Sequence, residues 1–239
     1  MWMDFEIMGN VRNYAKELEK IIEKGEEADA KGQEGKLEKL LLHSCCAPCS
    51  SYVLEYLREF FSVTVFYYNP NITEGDEYRK RVKEQKRLIE EYNRQIEEQD
   101  FRGMHSTKKA RRIEIIDGDY EPEAFYEMAK GLEKCPEGKE RCFKCYELRL
   151  RKTAELAAER KFDCFTTTLT VSPLKNAQKL NEIGERLGEE YGVFFLPSDF
   201  KKKDGYKRSV ELSSQFDLYR QNYCGCVYSK RDKELDDGR

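Results

Sequence analysis

Two hydrophobic periods alternate along this chain. Val11, Tyr14, Leu18, Ile21 and Ile22 recur at helical spacing, which predicts a helix with Asn10 as its N-cap. The stretch GEEADAKGQEGK at 25–36 has no apolar period and predicts a solvated connector. At Leu40 the pattern changes. Three leucines run unbroken into His43 and Ser44, as in a strand buried on both faces. A helix over 50–61 with Val53, Leu54, Leu57 and Phe61 inward precedes SVTVFYY at 62–68, a second strand by its β-branched and aromatic content. Residues 74–99 predict a long charged helix carrying Tyr78, Val82, Leu88, Ile89 and Tyr92. The short strand IEII then runs up to Asp117, a helix follows over 119–131, and a loop covers 132–141. Cys142 opens a helix, 162–168 forms a strand, 176–190 a helix and 193–196 a short strand; a basic loop, a helix and a closing turn finish the chain. Such alternation implies an α/β fold, a parallel three-layer sheet. Residues 1–36 are read as an N-terminal helical extension and 37–239 as the α/β domain.

Composition narrows the function classes. Charged residues make up 37% of the chain and hydrophobic residues 39%, yet the formal net charge is only -3. That balance excludes a protein that coats nucleic acid by bulk charge, while leaving room for a local basic face. No apolar stretch is long enough to span a bilayer, and MWMDFEIMGN has no basic leader, so a cytoplasmic protein without membrane contact is expected.

Nine cysteines in a reducing compartment need a reason other than structural disulfides. Cys45, Cys46 and Cys49 stand at the end of the first strand, where Pro48 suits the first turn of a following helix. In open α/β sheets that crevice is the usual binding site, and a helix N-terminus favours thiolate. Cys142 and Cys145 are spaced C-x2-C at a helix start, which turns both sulfurs toward one point. Cys45, Cys46, Cys142 and Cys145 therefore form a candidate four-thiolate metal site, with Cys49 an extra thiolate beside it. A closed zinc site of four thiolates normally sits in a ribbon or finger, so a pair in the crevice of an α/β sheet favours an iron–sulfur cluster. Cys224-Gly225-Cys226 is a second redox signal, because a ring closed across one glycine is strained and strained disulfides are the labile ones. Two further metal thiolates are the alternative for that pair. Cys164 reads as a buried inert thiol, Cys135 as a loop residue, His43 as a core histidine and His105 as part of a polar linker.

Cations are concentrated near the end of the chain. Lys201, Lys202, Lys203, Lys207, Arg208 and Arg220 lie near Tyr206, Tyr219 and Tyr223. Basic and aromatic side chains together suit the phosphates and unstacked bases of RNA, or else form a solvated face.

Several stretches together resemble the QueH-type epoxyqueuosine reductase family: HSCCAPCS at 43–50, FYYNPNI at 66–72 with EYRKR, RCFKCYELRL at 141–150, FTTTLTVSP at 165–173, DFKKKDGYKRS at 199–209 and LYRQNYCGCVYS at 218–229. The resemblance covers about residues 39–229 and implies a Rossmann-like domain of the adenine-nucleotide-hydrolase (HUP) type. It implies the two-electron reduction of epoxyqueuosine to queuosine at the wobble position of tRNA, the last step of queuosine biosynthesis. The family uses a [4Fe–4S] cluster and no cobalamin. Its cluster ligands map to Cys45, Cys46, Cys142 and Cys145, and its redox-active disulfide to Cys224 and Cys226. Cys49 also matches the motif and would hold part of a second iron. The N-terminal extension and the segment 102–112 depart from the family pattern and bear on tRNA docking. The electron donor stays unidentified. Two rival readings are a zinc-stabilised RNA-binding module and a PP-loop-type tRNA thiolation enzyme; the latter would need a glycine-rich phosphate turn where this chain has HSCCAPCS.

Overall fold

A computed structural model of the chain describes residues 12–31 and 38–237. Helix α1 (Tyr14–Ala30) leads into β1 (Lys39–His43), α2 (Ala47–Leu57), β2 (Ser62–Tyr67), α3 (Gly75–Glu98) and β3 (Glu114–Asp117). Then come α4 (Pro122–Ala129), α5 (Glu140–Glu159), β4 (Cys164–Thr167), a 3-10 turn (Thr168–Val171), α6 (Ala177–Tyr191), β5 (Phe194–Phe195), α7 (Gly205–Gln215) and α8 (Val227–Asp237). The five strands form one sheet in the order β3-β2-β1-β4-β5, and every pairing is parallel. The α/β expectation holds, with a Rossmann-like strand order.

β1 sits at the centre because both of its faces are apolar. Leu40 and Leu42 enter one core with Val53, Leu54 and Leu57 of α2 and Leu88, Ile89 and Tyr92 of α3. Leu41 points the other way, into a core with Leu150 and Ala154 of α5 and Leu180, Ile183 and Leu187 of α6. A strand turns successive side chains to opposite faces, so the leucine run feeds both helical layers at once. The chain winds outward from β1 through β2 to β3, then returns to the other side of β1 as β4. The carboxyl ends of β1 and β4 therefore lie side by side, with His43 in register with Thr167. This reversal point is where open α/β sheets bind their ligands.

Several element boundaries differ from the sequence reading. Asn10 and Val11 lie outside the described residues. Gly25 to Ala30 continue α1 and are not connector, since Glu and Ala are strong helix formers. Leu18 and Ile22 of that helix join the core beside α2. Helix α2 begins at Ala47, three residues earlier than expected, with Pro48 in its first turn. Strand β4 stops at Thr167, whose side chain caps the 3-10 turn by accepting from the Leu169 amide. The closing turn is followed by α8, a helix too polar to announce itself by period. No helix among the described residues is long and apolar enough to cross a membrane.

Candidate metal–thiol centre

β1 delivers His43 and Ser44 to the reversal point and stops there. Cys46 follows with extended backbone, φ -174°, and serves as the N-cap residue of α2. One turn into the helix Cys49 returns to the same side. The sulfurs of Cys45, Cys46 and Cys49 lie within 4.8 Å of one another, and Cys45 Sγ is 3.9 Å from Cys46 Sγ. His43 is fully buried, bridging Thr167 Oγ1 at 2.9 Å and the Tyr68 carbonyl at 3.2 Å. Burial, and then the nearby Arg149 cation, push its pKa down to about 3, so it is a neutral core residue that ties β1 to β4.

The three thiols perturb one another. Hydrogen bonds from Cys45 and Cys49, the Cys49 backbone amide and the charge of Arg81 hold Cys46 well below the usual thiol range. Cys45, hydrogen-bonded to Cys46, is pushed up to about 11, and Cys49 is raised by Cys45 and Cys46. Cys46 is thus the most acidic thiol of the three.

Helix α5 provides the facing wall. Cys142 and Cys145 occupy its first turns, and burial raises both thiols, Cys145 to about 11. Cys142 Sγ accepts the Gly138 amide at 3.2 Å. These two are not part of the tight group formed by Cys45, Cys46 and Cys49. They line a narrow cleft with Cys224 and Cys226, whereas the trio lines a wider cavity of about 280 Å³. Glu137, Arg149, Lys175 and Cys224 belong to both, so they form the partition between the two sulfur sets.

Cys224 and Cys226 are both free thiols. Ser229 near the start of α8 holds the pair in place: its amide donates to Cys226 Sγ at 3.3 Å and its hydroxyl accepts the Cys224 amide at 3.2 Å. Burial, then the neighbouring Cys224, push Cys226 up to about 12. Gly225 between them has φ +111°, and a Cβ there would stand 2.8 Å from Ile72 Cγ1. Only glycine fits that turn. Cys164 is buried on β4 and Cys135 sits in the loop before α5, both as expected.

Sequence reading missed the polar residues that surround these sulfurs. The inward stripe of α3 reads Tyr78, Arg81, Gln85, Leu88 and Tyr92, so Arg81 and Gln85 occupy core positions. Arg149 does the same on α5, in line with Cys145 and Thr153. A charged residue at an apolar-stripe spacing was the available signal. The thiols fit a soft metal, and the lining fits an anionic one. Arg81 Nη2, Gln85 Nε2, Tyr67 OH, Arg141 Nη2 and Tyr146 OH are buried without a hydrogen-bond partner. Buried donors normally find acceptors. A metal–thiolate group between the walls would bring them.

The basic segment divides in two. Arg208 makes a buried pair with Glu55 at 2.7 Å, Lys201 pairs with Asp199 at 2.8 Å, and Lys203 pairs with Glu19 of α1. Those three cations serve the fold. Tyr219 donates to Glu77 at 3.1 Å, and Tyr223 lies against Arg81. Arg220, Tyr206, Tyr223 and Lys233 line the wide cavity that holds the cysteine trio, and Tyr206 is 42% exposed.

The family model described as "Epoxyqueuosine reductase QueH" matches residues 40–232. An epoxyqueuosine reductase QueH of Staphylococcus epidermidis is 40% identical over 226 residues, covering 94% of this chain and 87% of that protein. One of Streptococcus pyogenes is 42% identical over 197 residues, covering 82% of this chain and 72% of that protein. One of Thermotoga maritima is 33% identical over 203 residues, covering 84% of this chain and 96% of that protein. With Cys45, Cys46 and Cys49 gathered at the reversal point of a parallel sheet and the match running through every cysteine, the chain belongs to the epoxyqueuosine reductase QueH family.

Proposed function

We propose that this chain removes the epoxide oxygen of epoxyqueuosine at the wobble position of tRNA, giving queuosine and water in the cytoplasm. The observation that carries the reading is the partition at the reversal point: two sets of thiols, one facing an open cavity and one buried, joined through Cys224. The reaction needs two electrons and two protons per epoxide. Cys224 and Cys226 as a dithiol hold both, and release them on closing to a disulfide, so that one turnover oxidises the pair and a cellular donor must re-reduce it. Cys45 and Cys46 from one wall and Cys142 and Cys145 from the other would hold a [4Fe–4S] cluster, and Cys49 would hold part of a second iron, without cobalamin. Bound there, the group supplies one-electron transfer between dithiol and substrate and Lewis-acid pull on the epoxide oxygen.

The residues of the cavity do the rest. Leu169 and Val171 give it an apolar side, and Tyr206 and Tyr223 offer faces for an extruded base. Arg220 and Lys233 at the same cavity meet backbone phosphates. Lys175 keeps an ammonium 3.0 Å from Glu137 and 3.5 Å from Cys224 Sγ, where it can donate to the departing oxygen. Anaerobic purification with iron and sulfide counts, followed by reaction with epoxyqueuosine-tRNA, tests the proposal. Cys142→Ser and Cys145→Ser are each expected to lose cluster and activity together; a cluster-free variant that still makes queuosine would refute it.

A further inference from the structure

Arg149 is 1% exposed, on the inward face of α5, in the partition between the two sulfur sets. Its Nε donates to the Cys145 carbonyl at 3.3 Å, its Nη1 reaches Asn69 Oδ1 at 3.5 Å, and its Nη2 has no partner. Arg141, also 1% exposed, donates only to the carbonyls of Leu132, Glu133 and Cys135, whereas other inward arginines find side-chain partners. Arg58 spends its donors on Ser106, the Tyr92 carbonyl and Gln95. Arg208 is paired with Glu55, and Arg81 with Glu77 at 2.6 Å. Lys175, beside Arg149 in the partition, brings its own carboxylate in Glu137. Among the described residues, Arg149 has no carboxylate partner.

An unmatched guanidinium in a fully buried position is costly, because burial removes its hydration and nothing returns the charge. What surrounds it is sulfur. Arg149, always charged as a guanidinium, lines the narrow cleft with Cys145 and Cys224 and the wide cavity with Cys45. Those three sulfurs come from both walls and from the Cys-Gly-Cys turn, so one cation touches the field of all three. A metal group held by four thiolates carries net negative charge, and the pairs Arg81–Glu77 and Lys175–Glu137 are already neutral within themselves. Of the buried cations around the two cavities, Arg149 and Arg141 are left over, and of these two only Arg149 lines both the cleft and the wide cavity.

We propose that Arg149 is the internal counter-cation of the metal–thiolate group, set in the partition to favour its reduced state. The inference rests on the cluster reading above. Adding an electron makes the group more negative, and a fixed cation in low dielectric stabilises that form more than the oxidised one. The position also explains the orphaned Nη2, which is left free to donate to a sulfur that the bound group brings.

Redox titration followed by EPR tests it on the iron-loaded protein. At the solution potential where the wild-type group is half reduced, Arg149→Gln is expected to show a reduced-to-oxidised ratio about tenfold lower, a shift of about 59 mV for one electron. Arg149→Lys should restore most of the ratio. Asn69→Asp, which sets a carboxylate against the guanidinium, should lower it as Arg149→Gln does. Unchanged potentials in both Arg149→Gln and Asn69→Asp would overturn the inference. Should Arg149→Gln fail to hold iron, retention in Arg149→Lys supports the charge role, whereas loss in both makes Arg149 a packing residue and overturns it. A wild-type protein without iron would instead sink the cluster reading itself, a result distinct from any of these.

Discussion

Lys175 Nζ lies 3.5 Å from Cys224 Sγ while its other side is held by Glu137 at 3.0 Å. Ser229 closes the network by donating to Glu137 at 2.9 Å and accepting from the Cys224 amide. A cation from the loop before α6, a carboxylate from the loop before α5 and a hydroxyl from α8 thus fix one sulfur. Arg81 Nη1, donating to the Cys224 carbonyl at 3.2 Å, and the Thr73 amide, donating to the Gly225 carbonyl at 3.2 Å, also hold this turn.

The Glu137–Lys175 pair should be visible in the pH dependence of stability. Burial works to raise the Glu137 carboxyl, but the Lys175 charge, its hydrogen bond and the Ser229 hydroxyl outweigh it and hold the group below its ordinary 4.5. A depressed carboxyl contributes stability above its ordinary value and loses it as pH falls through the lowered one. Glu137→Gln should therefore flatten the fall in Tm below about pH 5. Lys175→Met should cost about 1–2 kcal/mol at neutral pH, and part of that should return on acidification as the stranded carboxyl takes a proton. Thermal melts at stepped pH check both. Parallel Tm–pH curves for wild type and Glu137→Gln would show that the pair carries no such coupling.

Gly225→Ala separates the proposed redox role of the Cys-Gly-Cys turn from the proposed metal site. The new methyl would meet Ile72 Cγ1 at 2.8 Å in a backbone of φ +111°, so Cys224 and Cys226 must shift. Local strain of about 1–3 kcal/mol is expected. Iron content and the visible spectrum should stay as in wild type, while turnover falls about tenfold or more. Equal loss of iron and turnover would mean that this turn and the metal walls are one structural unit.

How much of this was legible in the sequence depends on which force placed each residue. The LLLH run announced the central strand, because a parallel strand buried on both faces leaves no polar alternation. The cysteine spacings pointed to Cys45, Cys46, Cys142 and Cys145 as one site; the structure groups Cys45 and Cys46 with Cys49 and sets Cys142 and Cys145 in a neighbouring cleft with Cys224 and Cys226. Arg81, Gln85 and Arg149 were not found, since a charged helix offers many arginines and only packing decides which face inward. The roles of Lys201, Lys203 and Arg208 were hidden for the same reason: their partners Asp199, Glu19 and Glu55 become neighbours only through the fold. Helix α8 escaped because few of its residues are apolar.

The basic segment gives a prediction that separates fold from RNA contact. Glu55 is 1% exposed and accepts two bonds from Arg208, so Arg208→Leu leaves a buried charge unpaired. A loss of about 3–5 kcal/mol is expected, read by chemical denaturation. Arg220→Ala should change stability by no more than about 0.5 kcal/mol. Its effect should be on tRNA affinity, with the slope of log affinity against log salt reduced by about 1. An unchanged slope would remove Arg220 from the RNA-facing set.

Removing the proposed metal–thiolate group should destabilise the protein beyond the loss of its own bonds. With the group gone, Arg149 keeps its charge in a buried partition, and Arg81 Nη2, Tyr67 OH and Gln85 Nε2 lack acceptors. Each such donor costs about 1–3 kcal/mol when no water reaches it. A group that binds only the folded chain adds about 4 kcal/mol of stability at a thousandfold excess over its Kd, and for a chain of this length each kcal/mol moves Tm by about 2–4 °C. Chelation under anaerobic conditions should thus lower Tm by roughly 8–16 °C, and reconstitution should restore it. In Arg149→Gln the gap between loaded and metal-free forms should narrow from the metal-free side, because the variant no longer strands a cation when the sulfurs lose their metal. A gap equal to that of wild type would mean that water already satisfies Arg149 in the metal-free protein.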